Sequence, residues 1–455
     1  MHENCEMRNH LKITLLFNLS PELVFLQLIY GKMKHSGLFL FVMYGLLIPG
    51  VLAQQKGSLL IAGGALKSDN KAVYEKMLEL AGGAERAVFG VIPAAGGAPV
   101  SSFESFKELL IGYGVKAENI HLVNVAMMDD KSTEFADESK WAGNAEDKRV
   151  AGILKTCTAV WFTGGDQMRV LMTLTRADGS PTQVLKAVND VYTRGGMIGG
   201  SSAGAAIMGP VMIAGGSSLG AFGLSADTTV SGPGGENSAG EPLLLSQGLD
   251  FFRFGIVDQH FNQRARLGRL CMALAQSRDK APFGVGVDEN TALIYYAAEN
   301  KIQVIGENGL TILNAEEVQI NGAAPRLKIA NLKFSYLEHG DEMNLSDMKV
   351  TPAVHRFPIH GNEEYELMAP PRSGLFDTDA PDFRELATRY LANNKLLSEI
   401  RSTGFNGTIG ITVVISKTLQ SRAYVSTGEN GKKKYTLENF RLDFEPVEIA
   451  IRPVY

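Results

Sequence analysis

Short apolar runs alternate with amphipathic stretches along the chain from Ser58 onward. The runs SLLIAGGAL, AVFGVIPAA and NIHLVNV are separated by two segments with helical periodicity, near Asn70 to Leu80 and near Ser102 to Gly112. The order continues with a polar helix before Cys157, the run AVWFTGGD, helical segments from Gln167 to Tyr192, and the run MIGGSSAGAAI. Short apolar strands with helical spacers predict an α/β fold on a doubly wound, mostly parallel sheet, covered on both faces.

The pattern changes character in the C-terminal third. After the runs GVGVDENTALIYY and KIQVIGENGLTIL the alternation of apolar and polar residues is typical of antiparallel strands. We therefore expect a first domain over residues 54–330, which ends near Ala330. Residues 331–455 then combine strand-like runs with a helix near Asp382 to Glu399, and we expect an α+β extension there. At 455 residues the chain exceeds the size of a single growing core, in agreement with two domains. The extension contains no chemical motif and no internal repeat.

Composition narrows the class of protein. Hydrophobic residues make up 45% of the chain and charged residues 20%, with a formal net charge of -5, as in an ordinary globular protein. A net negative chain without long basic runs lacks the electrostatic footprint of a nucleic-acid binder, apart from one local patch at Lys432 to Lys434. We therefore expect no nucleic-acid partner.

The N-terminal segment, residues 1–53, has the parts of a leader and signal peptide. Met33 and the basic residue after it precede an apolar run from Leu38 to Ile48, and small residues follow before Gln54. The run is short for a bilayer span, so we expect cleavage before Gln54, translation from Met33, and a secreted or periplasmic mature protein. The alternative is an N-terminal membrane anchor.

The residues that follow each strand carry the candidate chemistry, because ligands of such sheets gather at the carboxyl ends of the strands. The strongest signal is the segment Gly200 to Gly204, which fits the nucleophile-elbow pattern G-x-S-x-G with Ser202, not Ser201, at its centre. The backbone amide of Ala203 is the natural first donor to an oxyanion, and an amide in the turn at Gly165 is the second.

A serine nucleophile needs a base and an acid that orients it. Of the five histidines beyond the leader, His260 alone follows an apolar strand directly, at the end of GIVDQ. Glu289 ends the run GVGVDEN, and it is preferred over Asp288 because adjacent strand residues face opposite sides. The chain order of serine, histidine and acid differs from that of ordinary esterases and lipases, in which the acid precedes the histidine.

Two further features leave alternatives open. The Gly- and Ser-rich segment from Ala214 to Glu241 is either a mobile flap over the site or a long hairpin with no gating role. Cys157 and Cys271 either form one bridge or remain two separately buried thiols. The sequence also leaves the oligomeric state open, and a homodimer is one option.

Four motifs together resemble the cyanophycinases of serine peptidase family S51: WFTGGDQ, GGSSAGAA, DQHFNQRARLGRL and GVGVDENTAL. The resemblance spans Gly57 to Ile312. It implies a fold similar to class I glutamine amidotransferases and a triad of Ser202, His260 and Glu289. It also implies hydrolysis of cyanophycin, a poly-aspartate polymer with arginine on its side chains, to β-aspartyl-arginine, without a metal or organic cofactor. The substrate contacts implied by the matching motifs are Gln167, Asp258, Gln259, Arg264, Arg266 and Arg269.

The three arginines fit this substrate class, because guanidinium groups bind carboxylates in pairs of hydrogen bonds. Helical spacing puts Arg266 and Arg269 on one face and leaves Arg264 before the helix or in its first turn. We expect two of the three to contact the substrate; the alternative is a set of surface salt bridges. The rival functions are an aspartyl dipeptidase of the same clan and a catalytically silent secreted binding protein.

Overall fold

The structure is a computed structural model, and it describes residues 57–134, 136–224, 240–366, 375–376, 383–428 and 431–450. These residues belong to one compact unit, residues 55–455. The predicted leader and signal peptide, and residues 225–239 of the predicted flap, lie outside the described residues. Within the described ranges, no helix is long and apolar enough to cross a membrane.

Nine helices of the α type occur in the described part, together with short turns of other helical types. In chain order the first eight α-helices are α1 (Lys71–Leu80), α2 (Pro99–Gly112), α3 (Lys148–Ile153), α4 (Gln167–Leu174), α5 (Gln183–Thr193), α6 (Ala203–Ala206), α7 (Ser218–Ala221) and α8 (Leu267–Ser277). A short α-turn, α9 (Phe383–Glu385), and a π-helix (Leu386–Ala392) lie in the extension, and 3-10 turns lie at Ala117–Asn119 and Glu138–Glu146. Helix α1 begins where the Asn70 side chain accepts from the Val73 N–H, and it buries Val73 and Met77, four residues apart, against the sheet.

The first sheet has nine strands, and five of them are parallel. Their spatial order is β3, β2, β4, β5, β1, and the antiparallel strands β10, β11, β15 and β16 continue the sheet from β1. Its strands are β1 (Ser58–Ala62), β2 (Phe89–Ile92), β3 (Ile120–Leu122), β4 (Ala159–Phe162), β5 (Met197–Ser201), β10 (Thr291–Tyr296), β11 (Lys301–Gly306), β15 (Glu342–Asn344) and β16 (Val350–Thr351).

The second sheet has twelve strands, and its parallel part is β6, β8 and β9. From β9 the antiparallel strands β12, β14, β21, β20 and β17 follow in that order. Its strands are β6 (Val211–Gly215), β7 (Leu244–Gln247), β8 (Gly255–Asp258), β9 (Phe283–Val287), β12 (Gly309–Asn314), β13 (Gln319–Asn321), β14 (Lys328–Glu338), β17 (Phe357–Pro358), β18 (Glu399–Asn406), β19 (Ile409–Ser416), β20 (Arg422–Thr427) and β21 (Lys433–Glu448).

The α/β class expected from the sequence is confirmed, but the strands divide between two sheets where one was expected. One buried apolar cluster joins them, since it contains Ile61 and Phe162 of the first sheet together with Val257 and Val285 of the second. Burial of these side chains from both sheets in a common core holds the carboxyl ends of β5, β8 and β9 close to one another. This arrangement positions the candidate site.

The extension continues the second sheet. Strand β14 runs through the boundary predicted after Ala330, and β21 pairs with β14 along its length. The helix predicted over Asp382 to Glu399 was too long: its regular part ends at Ala392, and residues 399–406 form a strand. The Asn393 backbone N–H closes the last helical turn on the Thr388 carbonyl, and β18 then pairs with β19. Cys157 and Cys271 are both free and buried, so the structure favours two separate thiols.

Candidate active site

Ser202 occupies the sharp turn between β5 and α6. Its backbone has φ 56° and ψ −112°, a conformation that an L-residue adopts only where its surroundings enforce it. The flanking glycines make the turn feasible, because a Cβ at Gly200 would come within 2.4 Å of the Gly204 carbonyl oxygen. A Cβ at Gly204 would equally come within 2.4 Å of the Phe162 carbonyl oxygen. The spacing G-x-S-x-G therefore has a local steric cause, as the sequence predicted.

His260 lies two residues beyond the end of β8 at Asp258, and it faces Ser202 from the second sheet. The Ser202 hydroxyl lies 2.9 Å from the His260 Nε2, and the imidazole is buried. The His260 backbone N–H donates to the Gly63 carbonyl at 2.7 Å, which ties this loop to the end of β1. A Cβ at Gly64 would lie 2.2 Å from the His260 Cε1, so only glycine at that position admits the ring.

Glu289 completes the hydrogen-bonded series, and Asp288 beside it faces elsewhere. The Glu289 Oε1 lies 2.6 Å from the His260 Nδ1. Because a carboxylate only accepts, the Nδ1 carries the proton and the Nε2 is left to accept from Ser202. The Asp288 carboxylate instead accepts the backbone N–H groups of Asn262 and Gly309, at 3.0 and 3.2 Å, which fixes the loop beyond His260. Both acids lie beyond the end of β9 at Val287, and Glu289 is the one that contacts His260.

Burial sets the protonation state of His260. Removal from water lowers the pKa of its imidazole, the hydrogen bond to Glu289 raises it, and the charges of Arg264 and Arg266 lower it again. The net result is a pKa of about 4, so the imidazole is neutral and able to accept a proton at neutral pH. Burial also raises the pKa of Asp288 to about 7, although its two backbone hydrogen bonds act in the opposite direction.

The candidate oxyanion donors lie next to Ser202. Ala203 is the first residue of α6, and an N–H at that position has no acceptor within its own helix. The turn at Gly164 lies against Ser202, because a Cβ at Gly164 would be 3.4 Å from the Ser202 Cβ. Gly165 has φ +140°, and a Cβ on it would come within 2.1 Å of the Ala95 carbonyl oxygen. A side chain at Gly165 would displace the backbone of this turn, so the role of its amide stays a prediction.

Comparison with known proteins identifies relatives of the chain. A curated cyanophycinase from Trichormus variabilis is 30% identical to the chain over 309 residues, which is 66% of this chain and 90% of that protein. The chain belongs to the cyanophycinase family. A second cyanophycinase, from Geminocystis herdmanii, is 30% identical over 296 residues, covering 64% of this chain and 94% of its own length.

The cyanophycinase-family chain can also be compared with protein-family models and with solved structures. No protein-family model matches it. A solved peptidase from an acI-B1 actinobacterium is similar in structure with a TM-score of 0.43 and 19% identity, over 64% of this chain and 98% of that chain.

Two of the polar residues that the cyanophycinase resemblance implies as substrate contacts are paired inside the protein. Arg269 donates to Asp258 from Nε at 2.8 Å and from Nη2 at 2.5 Å, and its Nη1 donates to the Gly216 carbonyl at 2.8 Å. Asp258 is 1% exposed and Arg269 is 2% exposed. Burial opposes the charge on Asp258, but the charge and hydrogen bonds of Arg269, with the charge of Arg266, keep its pKa below the usual value. The two side chains therefore have internal partners, and their contact with the substrate stays a prediction.

Gln259 and Arg266 are also joined by hydrogen bonds inside the protein. The Arg266 Nη1 donates to the carbonyl and to the side-chain oxygen of Gln259, both at 2.7 Å, and both residues are buried. Arg266 directly precedes α8, and Arg264 lies two residues before it, as the spacing indicated. The alternative of surface salt bridges is wrong for Arg266 and Arg269, since both guanidinium groups lie in the interior.

Gln167 and Arg264 differ from the buried pairs. The Gln167 side-chain nitrogen donates to the carbonyls of Ile213 and Ala214, at 3.0 and 2.9 Å. Its side-chain oxygen is buried and has no hydrogen-bond partner among the described residues. Arg264 is half-buried, and its backbone N–H donates to the His260 carbonyl at 3.0 Å. Its charge lowers the pKa of the imidazole.

Sequence reasoning missed the residues that hold Glu289 in place. The Glu289 backbone N–H donates to the Gln263 side-chain oxygen at 2.9 Å, and the Asn308 side chain donates to the Glu289 carbonyl at 2.8 Å. Gln263 lies within the motif DQHFNQRARLGRL, which was the available signal, whereas Asn308 lies in a strand connection without one. Within the described ranges, no group of three or more metal-ligating side chains occurs.

Proposed function

We propose that this chain is a secreted serine peptidase that hydrolyses cyanophycin to β-aspartyl-arginine through an acyl-enzyme on Ser202. The observation that carries the proposal is the continuous series Ser202, His260 and Glu289, with separations of 2.9 and 2.6 Å. Membership of the cyanophycinase family supports the choice of substrate.

In the acylation step the Ser202 oxygen attacks the carbonyl carbon of the scissile peptide bond. The neutral His260 takes the hydroxyl proton on Nε2, and the Glu289 carboxylate stabilises the imidazolium that results. The oxyanion that forms is stabilised by the Ala203 amide and by an amide of the turn at Gly165. Collapse of the intermediate breaks the carbon–nitrogen bond, and the leaving amine takes the proton from His260.

Deacylation repeats the sequence with water as the nucleophile. His260 accepts a proton from the water, the hydroxyl oxygen attacks the acyl carbon, and the proton returns to the Ser202 oxygen as the ester breaks. The lowered pKa of His260 suits this cycle, because the imidazole returns to its neutral form at neutral pH.

Recognition of an arginine-bearing substrate requires acceptors for its guanidinium and cations for its carboxylates. The Gln167 side-chain oxygen, buried and without a partner among the described residues, accepts an N–H group of the substrate, and the half-buried Arg264 binds a carboxylate beside the histidine. Export through the segment before Gln54 gives the protein access to polymer released by other cells. N-terminal sequencing of exported protein tests that part: a start at Gln54 is expected, and a retained Met33 contradicts it.

The experiment on function incubates the full chain with purified cyanophycin and reads the released products by mass spectrometry. We expect β-aspartyl-arginine from the intact protein and none from Ser202→Ala. If no dipeptide appears but other β-aspartyl or acidic dipeptides are cleaved, the aspartyl dipeptidase alternative replaces the proposal. If a serine-reactive probe also fails to label Ser202, the catalytically silent binding protein replaces it.

A further inference from the structure

The basic patch at Lys432 to Lys434 lies at the start of strand β21 in the extension. The preceding turn is closed by the Gly428 N–H, which donates to the Lys432 carbonyl at 2.9 Å. The Tyr435 backbone N–H donates to the buried Glu338 carboxylate at 2.7 Å, and Arg384 donates to the same carboxylate at 2.9 Å. The start of β21 is therefore fixed to the end of β14, at the sheet edge on which the triad lies.

Lys434 brings this patch to the neighbourhood of Glu289. Its Nζ donates to the Glu307 backbone carbonyl. The Glu307 backbone N–H in turn donates to the Asn290 carbonyl at 3.0 Å, and Asn290 follows Glu289 directly. The path from the Lys434 ammonium to Glu289 thus passes through two residues, Glu307 and Asn290.

The three lysines of the patch do not share one environment. Successive strand residues face opposite sides, and Lys433 pairs with Glu364 at 2.6 Å on the side away from Glu307. Lys432 and Lys434 face Glu307, whose side chain already forms an ion pair with Lys67 at 2.9 Å.

The charge around Glu307 is predominantly positive. The hydrogen bond and the charge of Lys67, with the charge of Lys432, hold the pKa of the Glu307 carboxyl below its usual value. Two lysines, Lys67 and Lys432, thus act on this carboxylate, and Lys434 binds the backbone carbonyl of the same residue. Glu338, the other carboxylate near Lys434, is bonded by Arg384. The group is suited to binding additional anionic groups.

We propose that Lys432 and Lys434, together with Lys67, form a subsite contributed by the extension that binds carboxylates of the substrate chain away from the scissile bond. This inference rests on the proposed function. An arginine joined through its amino group to an aspartate side chain keeps its α-carboxylate, so each unit of the polymer carries one anion. The extension would then favour long polymer over single dipeptide units.

The test measures binding without cleavage. Full-length protein carrying Ser202→Ala is titrated with fluorescently labelled poly-L-aspartate at low and at high salt, with fluorescence anisotropy as the readout. The double variant Lys432→Gln with Lys434→Gln keeps hydrogen-bonding side chains but removes both charges. We expect its Kd to rise about three- to tenfold at low salt and by less at high salt.

Lys433→Gln is the matched control, because it removes the neighbouring charge on the opposite side of the strand. We expect its Kd to equal that of the parent protein. Equal Kd values for the double variant and for Lys433→Gln would overturn the proposal. Melting temperatures of all three proteins identify any loss of folding, and in that case the single variant Lys432→Gln, at an exposed position, replaces the double one.

A second measurement separates the subsite from the proposed function. With Ser202 restored, KM is measured on cyanophycin polymer and on a short segment with one scissile bond. The double variant should raise KM more on the polymer than on the segment. If no protein cleaves cyanophycin but the double variant still weakens poly-aspartate binding, the proposed function fails and the subsite stands. If all proteins cleave the polymer with one KM and bind poly-aspartate equally, the subsite fails and the function stands.

Discussion

The contact between Gly64 and His260 gives a sharp test of the site geometry. Gly64 has φ +102°, and a Cβ built on it lies 2.2 Å from the His260 Cε1 and 2.4 Å from its Nε2. Ordinary contact begins near 3.4 Å, so Gly64→Ala must displace the ring or the turn by about 1.2 Å. The 2.9 Å contact from Ser202 to the Nε2 does not survive a shift of that size.

The expected loss of activity is large. A misplacement of about 1 Å costs on the order of 10²-fold, and complete loss of general-base assistance costs about 10²- to 10⁴-fold. We therefore expect Gly64→Ala to reduce the rate of serine-probe labelling at Ser202 by at least about 10²-fold. The same factor is expected in kcat/KM on cyanophycin.

Gly82→Ala is the matched control for backbone strain. Gly82 has φ +98°, close to that of Gly64, but a Cβ on it meets no atom within 4 Å. Both variants carry the cost of alanine at positive φ, about 1 kcal/mol, and only one carries the collision with His260. Labelling is measured on samples shown to be folded by thermal melting. Gly64→Ala protein that labels as fast as Gly82→Ala protein would refute the reasoning.

Two further predictions concern the arginines near the site. Arg264→Gln removes a charge that lowers the pKa of His260, so that pKa rises; since the base acts only when neutral, the acid limb of the kcat/KM profile moves to higher pH. An unmoved limb contradicts this assignment. Arg269→Leu leaves the Asp258 carboxylate buried without its main partner, and we expect a loss of about 3–5 kcal/mol in the free energy of unfolding, measured with denaturant. The control Arg278→Leu, at an exposed pair, should change it by less than about 1 kcal/mol.

The hydrogen-bonded series of the proposed triad could be predicted because its signals are local. Gly200 and Gly204 report a steric requirement of one turn, and His260 and Glu289 each follow a strand whose apolar run is plain in the sequence. Ligands of α/β sheets gather at strand ends, so the three side chains could be brought together without knowledge of the pairing of the strands.

The partners of buried charges were not predictable in the same way. The motif around Arg269 fits a substrate contact and an internal ion pair equally well until Asp258 is located opposite it. The strands divide between two sheets because β9 pairs with β8, whereas the next strand, β10, pairs with β1. These pairings are long-range contacts that the local sequence does not determine. The prediction extended the helix beyond Ala392 because periodicity does not show that residues 399–406 pair with β19 as a strand.

Covalent capture of the nucleophile tests the central claim most directly. The full chain, Ser202→Ala and Ser201→Ala are each treated with a fluorophosphonate probe, and the modified residue is located by peptide mass spectrometry. Ser201 is the neighbouring hydroxyl at the end of β5 and serves as the control. We predict one adduct, on Ser202, in the full chain and in Ser201→Ala, and none in Ser202→Ala. An adduct that persists in Ser202→Ala, or its absence from the full chain, would contradict the account.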